Sequence, residues 1–310
     1  MIVIHNDISR KRNHGPRIST AALQRHLKKM IRQNKISWVR FSNKRKYYED
    51  AINWIWGIGG DGIKIIVECE KKGIPYIVGP NILFEQGRPL YEHEMLAINS
   101  RHCLGYFYLS DSHGDLIKQY LSDQVVGKMY QFFKPVWPVP KMFKEIKYDL
   151  LIYLKHGEEA KKIFQDFKRT EFYKQKKVVE FIYGAYKKRH LYKAARASHV
   201  CLYLSYGESG GMATEEIMSC GCPIVSMKRD TPLGVNKKTV NWISEEREIP
   251  ELIQAIKECE RYDRLEVRNT ALSRFGIDTS AKTVLAHLKE INGLWEDHYQ
   301  SKHLLSKNKY

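Results

Sequence analysis

No apolar run in this 310-residue chain is long enough to cross a bilayer, and no secretory leader pattern opens it. A cytoplasmic protein is therefore expected. Cysteine is sparse, and the two closest, Cys220 and Cys222, are separated by a single residue. That spacing lacks the two-residue gap of a zinc knuckle or dithiol redox motif, so a set of reduced, buried thiols is expected. No internal repeat or low-complexity segment occurs, which excludes solenoid and fibrous architectures. Acidic residues are few: 35 Asp and Glu stand against 52 Lys and Arg, for a net charge of +17. The imbalance is concentrated. Residues 1–50 hold thirteen Lys and Arg against three Asp and Glu, an excess of ten. Such a basic segment suits a polyanion: nucleic acid, an anionic membrane surface or an anionic glycan.

What is present is globular. Hydrophobic residues make up 43% of the chain and charged residues 28%, enough to bury two ordinary cores. Three of the ten prolines fall within 134–141, without helical or strand periodicity, and mark a linker. An N-terminal domain over 1–140 and a C-terminal domain over 141–310 are expected. Short apolar runs alternate with amphipathic stretches throughout. In the first half, strands are expected at 2–6, 37–41, 52–56, 75–78 and 105–110. The helix at 19–32 places Leu23, Leu27 and Ile31 inward and Arg25, Lys28, Lys29 and Arg32 outward. Gly57, Gly59 and Gly62 formally fit a dinucleotide fingerprint. The next strand, however, ends in Gly79-Pro80-Asn81 with no acid to hold a ribose, so a turn capped by Asp61 is expected instead.

The most informative stretch is 200–227. A buried strand at 200–205 leads into a loop with three glycines, then a helix at 212–220. Gly221 stops that helix, and Pro223 begins a second strand. This is the strand–loop–helix–strand unit of a parallel α/β sheet. Gly210 and Gly211 lie where a helix exposes its first unpaired N–H groups, a setting that attracts phosphate. Glu208 and Glu216 bracket the same turn. Carboxylates beside a phosphate cradle make sense when they accept hydrogen bonds from hydroxyls, as riboses and sugars supply. The combination describes a nucleotide-sugar site.

Glu208, Gly210, Gly211, Glu216, Gly221 and Pro223, in this register, resemble the E-x7-E signature of retaining glycosyltransferases of family 4 and their relatives. The resemblance extends over roughly residues 148–275 and more faintly over the first domain. It implies a GT-B fold: α/β, two Rossmann-like domains facing a cleft, with the last helix packing back on the first domain through residues such as Trp295 and Tyr299. It further implies Lys155, after the strand at 148–154, as partner of the donor diphosphate. Met212 and Ala213 join Gly210 and Gly211 around the donor, and the Tyr183-Gly184-Ala185-Tyr186 loop lies against the base. On the acceptor side it implies the Gly15-Pro16-Arg17 turn and the strand end at Asn81, where many relatives carry His. His113, in the loop expected at 111–114, occupies a similar strand-end position.

The expected activity is transfer of a sugar from a nucleoside diphosphate donor to an acceptor hydroxyl with retention. The nucleoside diphosphate sugar is a co-substrate, and no other cofactor is expected. Glu216 would hold the ribose hydroxyls and Glu208 the donor sugar. No Asp-x-Asp occurs in the chain, so no metal is expected, and the leaving diphosphate would rely on Lys155 and the amides of 210–212. The acceptor would be a lipid-linked glycan at an anionic membrane, a protein or DNA. Two alternatives compete: an epimerase or phosphorylase on the same fold, and a non-catalytic nucleic-acid-binding protein using the basic N-terminal surface.

Overall fold

The computed structural model describes residues 1–5, 15–44, 46–57, 61–81, 92–109, 111–121, 128–155, 157–205, 212–227, 240–243 and 248–307. In chain order, the elements of the first half are β1 (Ile2–His5), α1 (Gly15–Gln33), β2 (Val39–Ser42), β3 (Ile52–Gly57), α2 (Asp61–Lys72), β4 (Tyr76–Asn81), α3 (Glu92–Ile98), β5 (Cys103–Tyr108), α4 (Asp111–Tyr120) and β6 (Lys128–Gln131). The second half contains β7 (Tyr148–Leu154), α5 (Glu158–Lys168), α6 (Glu171–Lys174), β8 (Val178–Ile182), α7 (Lys188–Ala195), β9 (Ser198–Leu204), α8 (Met212–Ser219), β10 (Ile224–Met227), β11 (Val240–Ile243), α9 (Ile249–Cys259), α10 (Arg264–Phe275) and α11 (Ile277–Lys307). They form two compact units: Met1–Pro135 with Ile277–Tyr310, and Val136–Gly276.

Each unit is built on a parallel sheet. In the first the strand order is β2-β1-β3-β4-β5-β6, and in the second β11-β10-β9-β7-β8. Among the described residues every pairing is parallel. Parallel sheets need both faces covered, and the strands are accordingly apolar nearly throughout. The two-residue repeat of a strand then sorts side chains by face. In the first unit Trp54 and Trp56 join Leu23, Leu27 and Ile31 of α1 and Val284, Leu288 and Ile291 of α11. Ile55 between them points the other way, toward Ile65 and Ile66 of α2. Trp54 stacks on Trp56 at 4.6 Å and on Phe107 at 4.5 Å, and its indole N–H donates to the Gly79 carbonyl at 2.8 Å.

The terminal helix belongs to the first unit through polar contacts as well. Asp278 lies 2.7 Å from His26 of α1, Glu290 lies 3.0 Å from Lys128, and His287 donates from Nε2 to the Gln131 carbonyl at 2.9 Å. The side chains of Trp295 and Tyr299 lie outside the described residues.

Two local expectations are corrected. Gly15, Pro16 and Arg17 are not a turn before a helix; they are the first residues of α1. Proline suits that place, because its fixed φ is helical and its missing N–H would have had no partner. His113 is not in a loop but in α4, 1% exposed, with its Nδ1 accepting from the Leu109 N–H at 3.3 Å. It helps close the β5–α4 junction.

The proline-rich segment also behaves differently from a free linker. The unit division falls after Pro135, ahead of the residue 140 boundary read from composition. Val136 N–H donates to the Phe275 carbonyl at 2.9 Å. Arg268 donates to the carbonyls of Pro140 (2.8 Å), Lys141 (3.3 Å) and Ser219. Arg264 reaches the carbonyls of Gly221 (2.9 Å), Lys144 (3.1 Å) and Arg196 (2.8 Å). Residues 136–144 lack a ladder of their own, so side chains satisfy their carbonyls: two arginines of α10 take those of Pro140, Lys141 and Lys144, while Lys188, Tyr192 and Arg196 take those of Trp137, Pro138 and Met142. The two α10 arginines also hold the end of α8. There Gly221, at φ 77°, ends the helix; a Cβ at this position would lie 2.8 Å from the Phe143 ring and 2.9 Å from the Arg264 carbonyl.

Candidate active site

The carboxyl edge of the second sheet carries Lys155 and Ser205 at the ends of β7 and β9. Leu150, Ile152 and Leu154 of β7, with Val200, Leu202 and Leu204 of β9, pack against α5 and α9. The alternate residues face the other way, and there Tyr153 stacks on Tyr203 at 4.9 Å with planes 4° apart. Tyr153 also shares a 2.7 Å hydrogen bond with Tyr186, hydroxyl to hydroxyl. Two residues on from each tyrosine, at the edge itself, stand Lys155 and Ser205.

The strand ends are locked in register. Lys155 N–H donates to the Leu204 carbonyl at 2.8 Å, and Tyr183 N–H to the Leu154 carbonyl at 2.9 Å. The Lys155 ammonium lies 5.2 Å from the centre of the Tyr183 ring. Tyr183 is 49% exposed, so its ring remains open to a further planar ligand. Gly157 then turns the chain into α5 at φ 104°, a conformation only glycine adopts without strain. Ser205 is fully buried, and its hydroxyl has no hydrogen-bond partner among the described residues.

Of the donor-side residues expected from sequence, the structure brings together Lys155, Tyr183, Gly184 and Tyr186, and places Met212 and Ala213 as the first two residues of α8. Glu208, Gly210 and Gly211 lie outside the described residues. On the acceptor side Gly15 is the first residue of α1 and Asn81 the last of β4, but the side chains of Asn81 and Arg17 also lie outside the described residues.

Glu216 sits in the second turn of α8 and is 6% exposed. Its Oε1 accepts from Lys188 Nζ at 2.5 Å. Burial pushes the Glu216 carboxyl above the ordinary carboxylate range, and the Lys188 ammonium opposes that shift. Tyr153, Tyr186 and Tyr192 also feel the Glu216 charge; burial raises all three phenols, Tyr186 to about 12, so they are neutral donors near pH 7. A carboxylate paired with Lys188 through one oxygen keeps lone pairs that can hold vicinal hydroxyls of a ligand. Lys188 escaped the sequence reading. The signal available was a run of cations, Lys187-Lys188-Arg189, at a helix start with no acidic residue in its first turn.

The first unit has a polar cluster of its own at a strand end. Asn53 donates to the carbonyls of Tyr48 and Ala51, and its Oδ1 accepts from Tyr48 N–H at 3.0 Å. That orientation makes Nε2 of buried His5, at 2.9 Å, the donor to Oδ1. Burial holds the His5 pKa below its usual value, so it is neutral at pH 7. Among the described residues, no three His, Cys, Asp or Glu side chains converge as metal ligands, and no helix is long and apolar enough to cross a membrane.

Comparisons with known proteins bear on this unit first. Residues 150–270 match the family model described as glycosyl transferases group 1. No curated protein matches the chain. Among solved structures, the GtfA/B complex is similar with a TM-score of 0.57 at 11% identity, over 79% of this chain and 58% of that one. The lipopolysaccharide outer core galactosyltransferase WaaB gives a TM-score of 0.55 at 12% identity, over 86% and 80%. The pneumococcal O-GlcNAc transferase GtfA, solved with UDP and GlcNAc, gives 0.51 at 11% identity, over 78% and 57%. The chain thus spans under three fifths of two of these relatives. At such identities the likeness concerns the fold: α/β, two Rossmann-like units of GT-B type.

Proposed function

We propose that the protein is a retaining glycosyltransferase that moves a sugar from a nucleoside diphosphate to an acceptor hydroxyl. The observation that carries this is Glu216: a buried, charge-paired carboxylate near the start of α8, at the carboxyl edge of a parallel sheet and inside the matched segment. Ligands of open α/β sheets bind beyond the carboxyl ends of the strands. There Glu216 accepts from the ribose hydroxyls, Tyr183 stacks on the base, and Glu208 contacts the sugar. Lys155 and the first amides of α8 meet the diphosphate, a charge-neutralising role that needs no Asp-x-Asp metal site. In the reaction the bond from the anomeric carbon to the phosphate oxygen breaks as the bond to the acceptor oxygen forms on the same face. The departing diphosphate takes the acceptor proton.

The test is a thermal-shift panel of UDP, ADP, GDP and CDP, each beside its 2′-deoxy counterpart. A ligand at a hundred times its Kd stabilises by about 2.7 kcal/mol, which is readily seen. No stabilisation by any of them overturns the proposal. Donor hydrolysis and turnover with and without acceptor then separate a transferase from an epimerase. Glu216→Gln keeps the volume and a neutral acceptor for Lys188 but removes the charge. It should weaken the best nucleoside diphosphate by about 1.5–3 kcal/mol, roughly ten- to a hundredfold. Unchanged affinity removes Glu216 from the site.

For the acceptor, the basic face of α1 favours a polyanionic surface. Arg25, Lys29 and Arg32 are exposed, and together with Lys28 and Gln33 they line a shallow groove of about 440 Å³. Lys28 is held 4.8 Å over the Phe41 ring. We place an anionic membrane carrying a lipid-linked glycan there, with DNA as the rival. Replacing Lys28 and Lys29 by Gln should weaken co-sedimentation with phosphatidylserine vesicles by about 2 kcal/mol, roughly thirtyfold at low salt. A duplex DNA shift whose log K falls by about 0.9 per neutralised phosphate against log salt would favour the rival. Binding to neither would mean a merely solvated face.

A further inference from the structure

We propose that Lys188 is a positioning residue for the nucleotide: by holding one oxygen of Glu216, it keeps that buried carboxylate charged and turned toward the ribose hydroxyls. This deepens the assignment of Glu216 above and rests on it. Lys188 is the first residue of α7, a place where local rules favour an acid. A helix start carries partial positive charge, and α7 has no side-chain cap and no acidic residue in its first turn. The lysine is therefore unfavourable for its own helix and is compensated across the unit. Its ammonium is fixed from three directions. It donates to Glu216 Oε1 at 2.5 Å and to the Trp137 carbonyl at 3.0 Å, and lies 5.5 Å from the Tyr192 ring centre. With two of three donor protons engaged, the group cannot swing away from Glu216 without losing both bonds.

The groups acting on Glu216 can be named from each neighbouring element. Lys188 and Tyr192 come from α7, Tyr186 from the loop before it, Tyr153 from β7, and Cys220 follows α8. Burial raises the phenols and the Cys220 thiol, the latter to about 12, so they are uncharged near neutrality. Arg264 and Arg268 of α10 are spent on carbonyls at the far end of α8, in the 140–144 segment and at Arg196. Among the described residues Lys188 is thus the cation that offsets burial of Glu216. A carboxylate has about four lone-pair sites, so Lys188 on one oxygen leaves room for a diol. Without Lys188, burial acts unopposed and the carboxyl holds its proton to higher pH, becoming a poorer acceptor.

The experiment measures Kd by calorimetry at pH 6 and pH 8 for the nucleoside diphosphate that best stabilises the wild type and for its 2′-deoxy counterpart. The wild type should prefer the ribose form at least about tenfold at both pH values. Lys188→Met should lose that preference at pH 6 and recover part of it at pH 8, and Lys188→Arg should retain it. Lys188→Gln serves as the second variant should Met prevent folding, checked by circular dichroism. A lower melting temperature with an unchanged ribose preference at both pH values would make Lys188 purely structural and overturn the inference. A wild type without ribose preference would overturn the assignment of Glu216 itself, and Lys188 with it.

Discussion

Replacing Lys155 by alanine should lower kcat by roughly a hundred- to a thousandfold while raising the donor KM much less. Negative charge on the diphosphate grows as its bond to the sugar breaks, so a cation placed there stabilises the transition state more than the bound donor. Lys155 is well fixed for such a role. It follows Leu154 at the carboxyl end of β7, its N–H is tied to the Leu204 carbonyl at 2.8 Å, and its ammonium rests 5.2 Å from the Tyr183 ring centre. The preceding Tyr153 is clamped by Tyr186 and Tyr203, so the strand end has little freedom. Steady-state kinetics with donor and acceptor varied separately decide the matter. A rise in KM alone would make Lys155 a ground-state binder. Unaltered kinetics would leave it an ordinary lysine at a strand end.

Arg268→Met should destabilise the second unit by about 3–5 kcal/mol, because three carbonyls lose a charged donor at once. Those carbonyls belong to Pro140, Lys141 and Ser219, so one side chain ties the chain entering the unit to the last turn of α8. Arg268 is 8% exposed, and water has poor access to replace it. The melting transition should drop by roughly 10 °C. Because Glu216 lies on α8, nucleotide affinity should fall as well in protein that remains folded. Urea unfolding followed by far-ultraviolet circular dichroism measures the loss; less than about 1 kcal/mol would mean that other donors or water satisfy these groups.

Much of the architecture is legible in the chain because local and global preferences agree. The run at 148–154 is apolar at nearly every position and is a strand over the same residues, Tyr148–Leu154. The spacing of Leu23, Leu27 and Ile31 marks the buried face of α1, and Gly221 ends α8 where its backbone demands. Less legible elements lack such a pattern. β6, Lys-Met-Tyr-Gln, has neither alternation nor β-branched residues, and is a strand because β5 offers it an open edge. α3 begins with Glu-His-Glu and becomes a helix against the Tyr76 and Tyr106 hydroxyls, which donate to its carbonyls at Ala97 and Ile98.

Two parallel α/β units and a glutamate motif at one strand–helix junction are readable from residue order alone. Hydrophobic periodicity and glycine placement are local properties, set within a few residues of each other, and they survive without knowledge of neighbours. Which charges meet depends on the folded arrangement. Lys188 and Glu216 are 28 residues apart, and Arg268 and Pro140 are 128 apart. No spacing rule links them. Lys188 and Glu216 meet because parallel strands return helix starts to the same sheet edge, whereas Arg268 and Pro140 meet at the opposite end of α8; in both places burial makes an unpaired charge or carbonyl too costly to leave alone.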